Sequence, residues 1–216
     1  MIPPDQAQQP AVTPRGYGFV AGTLVQTSQG LVPIETLAVG DLVLSQPQMG
    51  GPAIYKPVVG TIAHDDQVTL LVEYLILEEP ETRPLVATYA LSFWVEDAGW
   101  TAVEDLDYGN VFRTVDGREN VVICVRRLFQ TDVEDVGYTH DDGRDKGPTI
   151  DLRNAAVQVT LSGEDTYNDF AFRHRLPLRR RVYNIEVAET HTFCVGEPGV
   201  WVGDATAARP SGESGR

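Results

Sequence analysis

Apolar and polar positions alternate along this chain in short runs, and Gly, Pro, Asp and Asn separate the runs. Thr23-Leu24-Val25-Gln26-Thr27 reads with a period of two, as a half-buried strand should. Ser28-Gln29-Gly30 supplies a turn, and Leu31-Val32-Pro33-Ile34 resumes the sheet. One helical turn is expected over 34–37, ahead of Gly40-Asp41, with a strand at 41–45. The same reading places strands at 58–63, 68–77, 85–90, 93–95, 111–114, 120–129, 157–161, 181–187, 192–195 and 200–202. No stretch sustains a 3.6-residue period, so the pattern predicts an all-β fold.

The ends and one internal stretch depart from this pattern. Residues 1–16 are rich in Pro and Gln and read as a linker, and 205–216 read as a flexible tail. Residues 131–153 include Glu134-Asp135 and His140-Asp141-Asp142-Gly143, and predict a charged loop excursion from the sheet. Asp141, Asp142 and Asp145 lack calcium-loop spacing and read as solvated. This leaves one domain over 17–204, a size that buries a real core.

Composition narrows the partners. The net charge is −14, and such a surface repels phosphate backbones and anionic lipid heads while favouring solubility as a monomer. No nucleic acid, membrane or cofactor is expected. No apolar run approaches the ~20 residues of a membrane span, and residues 1–16 lack the basic start and apolar stretch of an export signal. Cys124 and Cys194 have no metal-site spacing; each lies in an apolar run and reads as a buried thiol, with a disulfide between them as the alternative.

Three ordered motifs carry a family resemblance. The first runs Phe19-Val20-Ala21-Gly22-Thr23, then Pro33-Ile34-Glu35, then Val39-Gly40-Asp41. The second is Phe93-Trp94-Val95 with Gly99-Trp100 and Asp105-Leu106 before Gly109. The third is Val182-Tyr183-Asn184-Ile185-Glu186-Val187 with His191-Thr192-Phe193 and Gly199-Val200-Trp201-Val202. Together they resemble the Hint (hedgehog/intein) domain over about residues 18–204, closest to the intein-like domains of bacterial polymorphic toxins. The resemblance implies a flattened, curved β-fold of two pseudo-symmetric halves with neighbouring chain ends. It also implies self-cleavage or self-splicing inside a larger, secreted or cell-surface bacterial protein, whose flanking segments are the partners.

The residues that such chemistry needs are mostly replaced. In the family, a Cys or Ser at the first position attacks the preceding carbonyl; the resemblance puts Gly18 there. A Thr-x-x-His motif polarises that peptide; here Thr88 remains, as a hydrogen-bonding hydroxyl or an ordinary strand threonine, and Leu91 replaces the histidine. The final His-Asn pair is Gly203-Asp204. His191 matches the histidine that assists C-terminal release, and serves as acid or base near neutrality or simply bonds to backbone. Three losses together fit inherited decay better than a single engineered trap. Three functions follow: a silent spacer or interaction module, slow C-terminal self-cleavage at Asp204 assisted by His191, or a ligand-binding β-domain unrelated to processing.

Overall fold

The computed structural model describes residues 16–47, 51–77, 79–140, 147–153, 157–160 and 175–206. β-Branched and aromatic runs become strands there, and no α-helix forms among the described residues. In chain order the strands are β1 (Phe19–Val20), β2 (Leu24–Thr27), β3 (Gly30–Pro33), β4 (Leu42–Ser45), β5 (Ile54–Ile76), β6 (Thr82–Thr88), β7 (Ser92–Val95) and β8 (Gly99–Ala102). They continue with β9 (Val111–Phe112), β10 (Asn120–Gln130), β11 (Val136–Thr139), β12 (Thr149–Asp151), β13 (Gln158–Thr160), β14 (Arg179–Val187), β15 (Thr192–Val195) and β16 (Val200–Gly203). All named pairings are antiparallel, in curved sheets.

β5 is the spine. Its 23 residues pair with β4 at the start, β14 in the middle, and β6 and β10 toward the end. The sequence pattern suggested two strands broken at 64–67. The structure carries one strand through, with Asp66 at φ +55 and a register shift opposite Arg180/Val182. A bulge of this kind bends a strand without ending it, so the polar gap is a kink and not a loop.

One corner of the fold occurs twice with the same hydrogen bonds. After the β2–β3 hairpin, a 3₁₀ turn (Ile34–Thr36) leads to Gly40-Asp41; after β7–β8, a second (Val103–Asp105) leads to Gly109-Asn110. Leu37 N bonds to Ile34 O, and Leu106 N to Val103 O. Ala38 N donates to Asp41 Oδ2 (2.9 Å), and Asp107 N to Asn110 Oδ1 (2.8 Å). Gly40 N donates to Val58 O, Gly109 N to Val122 O, and each return bond is made as well. Both glycines have positive φ, +101 and +88. Local chemistry of Ile/Val-Glu, Leu and Gly-Asp/Asn thus builds the same corner twice.

Apolar faces close on three clusters. The main core joins Phe19, Val25, Ile34, Val43, Phe93, Phe112, Ile185 and Phe193, with edge-to-face contacts of Phe19 on Phe93 and Phe193. Burying each such side chain stabilises by roughly 1.5–3 kcal/mol. A second cluster holds Val20, Leu71, Val86, Leu128, Ile150, Leu178 and Val182 on the opposite face. The third is Leu44, Cys194 and Trp201, flanked by Trp94 and Trp100, with the Arg113 guanidinium over the Trp94 ring at 5.1 Å.

The second cluster changes the picture of 131–153. That stretch was expected as a charged loop, yet β11 and β12 lie within it, and Tyr138, Thr139 and Ile150 are fully buried. Its apolar residues cover the second core, while Asp141, Asp142 and Asp145 fall outside the described residues. The linker reading of 1–16 also needs a boundary change: Gly16 is buried against β5, and 1–15 are outside the description. Of the tail, Ala205 and Thr206 are ordered by bonds to Ile185 O and Asp204. Cys124 and Cys194 are both free, which removes the disulfide alternative. Cys194 is buried; Cys124 is partly exposed and donates to Glu73 Oε2 at 3.0 Å.

Candidate functional site

The residues singled out at both ends of the domain converge on β14. Phe19 pairs with Tyr183, Ala205 N donates to Ile185 O at 3.1 Å, and Val187 N donates to Asp204 Oδ2 at 2.9 Å. At ~3.3 Å of rise per strand residue, the two ends sit on the order of 7–14 Å apart.

At the N-terminal end the backbone is clamped. Gly16 N donates to Gln67 Oε1 (3.0 Å) and Gly18 N to Thr88 Oγ1 (3.1 Å). Thr88 N donates back to Gly18 O at 3.0 Å. Thr88 therefore uses its hydroxyl on the very peptide that joins residues 17 and 18. The arm lies so close to β14 that a Cβ on Gly18 would sit 2.3 Å from Tyr183 O. A Cβ on Gly16 would sit 2.3 Å from the His64 ring. Real Cβ atoms do not make contacts this short, so a side chain at residue 18 would have to displace the β14 backbone and one at residue 16 the His64 side chain. A cavity of about 560 Å³ opens beside the arm, lined by Gly16, Gln67, Thr88, Arg127 and Arg179 among others. Leu91 is packed into the main core, 2% exposed.

At the C-terminal end, His191 and Asp204 are brought together. The turn between β14 and β15 puts His191 in the left-handed region at φ +56, and His191 O accepts from Asp204 N at 3.0 Å. His191 Nδ1 lies 3.5 Å from Asp204 Oδ2; the imidazole is half-exposed and the carboxylate has no exposure. Gly203 pairs with Thr192 in the β15–β16 ladder.

The sequence reading missed the groups that hold this end in place. Buried Ser45 donates to Thr190 Oγ1 (2.6 Å) and bonds Thr192 Oγ1 (2.9 Å), tying both sides of the His191 turn to β4. Thr206 Oγ1 donates to Asp204 Oδ1 (2.7 Å) and meets His191 Nδ1 (2.8 Å). A threonine on each side of His191, and another two residues beyond Asp204, were the available signals.

Burial pushes both thiols up to about 12, helped at Cys124 by the Glu73 carboxylate, so neither is a ready nucleophile. Among the described residues no group of three or more His, Cys, Asp or Glu side chains forms a metal site, and no helix is long and apolar enough to cross a membrane.

No family model and no curated protein matches the sequence. Solved structures do. The bacterial intein-like domain from Clostridium thermocellum is 21% identical, with a TM-score of 0.55 over 87% of this chain and 98% of that one. A DnaB intein from Synechocystis sp. PCC 6803 is 9% identical, with a TM-score of 0.53 over 88% of this chain and 99% of that one. The gp41-1 intein is 15% identical, with a TM-score of 0.50 over 88% and 99%. With its repeated corners, its β5 spine and both ends docked on one strand, the chain has the all-β Hint/intein fold.

Proposed function

We propose that this is a Hint-fold module without N-terminal acyl-shift chemistry, kept as a rigid spacer or interaction module that joins flanking segments of one precursor. Gly18 carries the reading. It offers no nucleophile, and the space a nucleophile's Cβ would need is filled by the Tyr183 backbone. Leu91 in the core, where the family resemblance places a histidine, adds a missing proton carrier. The module acts as a monomer, with no nucleic acid, membrane or cofactor as partner.

The test is residues 11–210 fused between two folded reporters, followed by mass spectrometry over days with and without thiol. The fusion is expected to stay whole at residue 18. A fragment beginning at Gly18 would overturn the reading.

A second reading is slow C-terminal release assisted by His191. It is favoured by the 3.5 Å approach of the imidazole to the buried Asp204 carboxylate. It predicts a slow loss of the downstream reporter that stops in His191→Ala. Loss at an equal rate in that variant would exclude it.

A further inference from the structure

C-terminal release needs an attacking atom, and the geometry points to the hydroxyl of Thr206, with Asp204 as its proton carrier, so that the chain parts after Ala205. This rests on the second reading above and replaces its nucleophile and its cleavage point.

Asp204 is badly placed to attack its own carbonyl. Its Oδ2 accepts from Val187 N at 2.9 Å and faces His191, and its Oδ1 accepts two hydrogen bonds from Thr206. Swinging the carboxylate onto the backbone would break bonds in a buried site, and a carboxylate held by several donors is a poor nucleophile. Thr206 is on the exposed side, and its hydroxyl oxygen contacts two groups suited to activating it.

The telling feature is a single oxygen. Asp204 Oδ1 lies 2.7 Å from Thr206 Oγ1 and 2.8 Å from Thr206 N. When a hydroxyl attacks the carbonyl just before it, a proton must leave that oxygen and arrive at that nitrogen. Here one carboxylate oxygen reaches both. Oγ1 bonds to the Ala205 carbonyl carbon as its proton passes to Oδ1. The bond from that carbon to the Thr206 nitrogen then breaks, its electron pair stays on nitrogen, and Oδ1 hands the proton to it. The product is an ester between Ala205 and the Thr206 oxygen, with a free amine on Thr206. Water then hydrolyses the ester: its oxygen bonds to the Ala205 acyl carbon, the bond from that carbon to Thr206 Oγ1 breaks, and one water proton restores the Thr206 hydroxyl, leaving a carboxyl group on Ala205. His191 Nδ1, 2.8 Å from Oγ1, supplies a hydrogen bond to that oxygen when it becomes the leaving group in ester hydrolysis. The Ser45–Thr190–Thr192 hydroxyls hold the turn that aims it.

The full chain, fused at its C-terminus to a folded reporter, tests this by intact mass. The expected product ends at Ala205, and the released fragment begins with Thr206. Hydroxylamine should speed release and leave a hydroxamate on Ala205. Thr206→Ser should keep the cut, Thr206→Ala should abolish it, and Thr206→Cys should accelerate it at least tenfold because a thiol attacks more readily. A product ending at Asp204 that persists in Thr206→Ala would overturn this inference while leaving His191-assisted release standing. An intact fusion in every variant, Thr206→Cys with hydroxylamine included, would overturn both and leave the silent spacer.

Discussion

Gly18 illustrates how a missing side chain is a packing statement as well as a chemical one. Its φ lies outside the left-handed region, so the position is closed by sterics and not by backbone strain. Gly18→Cys should therefore leave the fusion uncut and destabilise the fold by about 1–3 kcal/mol, the usual cost of overpacking. Urea denaturation gives the second number, and a Gly18→Cys chain as stable as its parent that cleaves on adding thiol would refute the account. The partner hydroxyl is equally testable. Thr88→Val keeps the shape but leaves the buried Gly18 N–H without its acceptor, at a cost of about 1–3 kcal/mol. Parent-like stability in that variant would show that Gly18 N finds another partner.

At the scale of elements, the duplicated corner is a local device that the fold uses twice. Each copy uses the same bonds, and its glycine bears a φ that other residues adopt only with strain. Nothing lies within 4 Å of a Cβ at Gly40 or Gly109, so a substitution there meets open space. The penalty of Gly40→Ala and of Gly109→Ala should be conformational alone, about 1–2 kcal/mol each and similar in the two. Matched urea midpoints check this, and a much larger loss at one corner would mean that the halves are not equivalent. The duplication was readable in Ile34-Glu35, Leu37 and Gly40-Asp41 against Val103-Glu104, Leu106 and Gly109-Asn110. It is easily passed over, because the residues between these positions differ. The 131–153 stretch failed for the opposite reason: its charges dominate the composition, while the few apolar residues that matter, Val136, Tyr138 and Ile150, alternate too briefly to stand out.

For the molecule as a whole, burial of neutral acids sets an alkaline limit. Cys124 and Cys194 are pushed from about 9 to about 12, and Tyr74 from about 10 to about 12, in each case chiefly by removal from water. The unfolded chain loses these protons first, so between pH 9 and 12 it binds fewer than the folded chain, and stability falls as pH rises. Under reducing conditions, urea midpoints at pH 8 and pH 10.5 should differ, with the lower value at pH 10.5. Removing both thiols by Cys→Ala exchange should shrink that difference; an unchanged difference would locate the titration elsewhere. The same packing should make both thiols react far more slowly with a disulfide reagent at pH 8 in the folded chain than in urea.

The all-β character, most of the strands, the three ordered motifs and the identity of the residues at each end were legible in the residues alone. Alternation, turn residues and the presence or absence of a side chain are local properties, and they survive without coordinates. Folding in three dimensions was needed to show that Gly18 is walled in by Tyr183, that apolar residues of the charged 131–153 stretch join a second core, and that Thr206, Asp204 and His191 meet. Those facts depend on which strands lie beside β14 and at what register. A register is fixed by the sum of many weak apolar contacts across the sheet, and no single stretch of the sequence contains that sum.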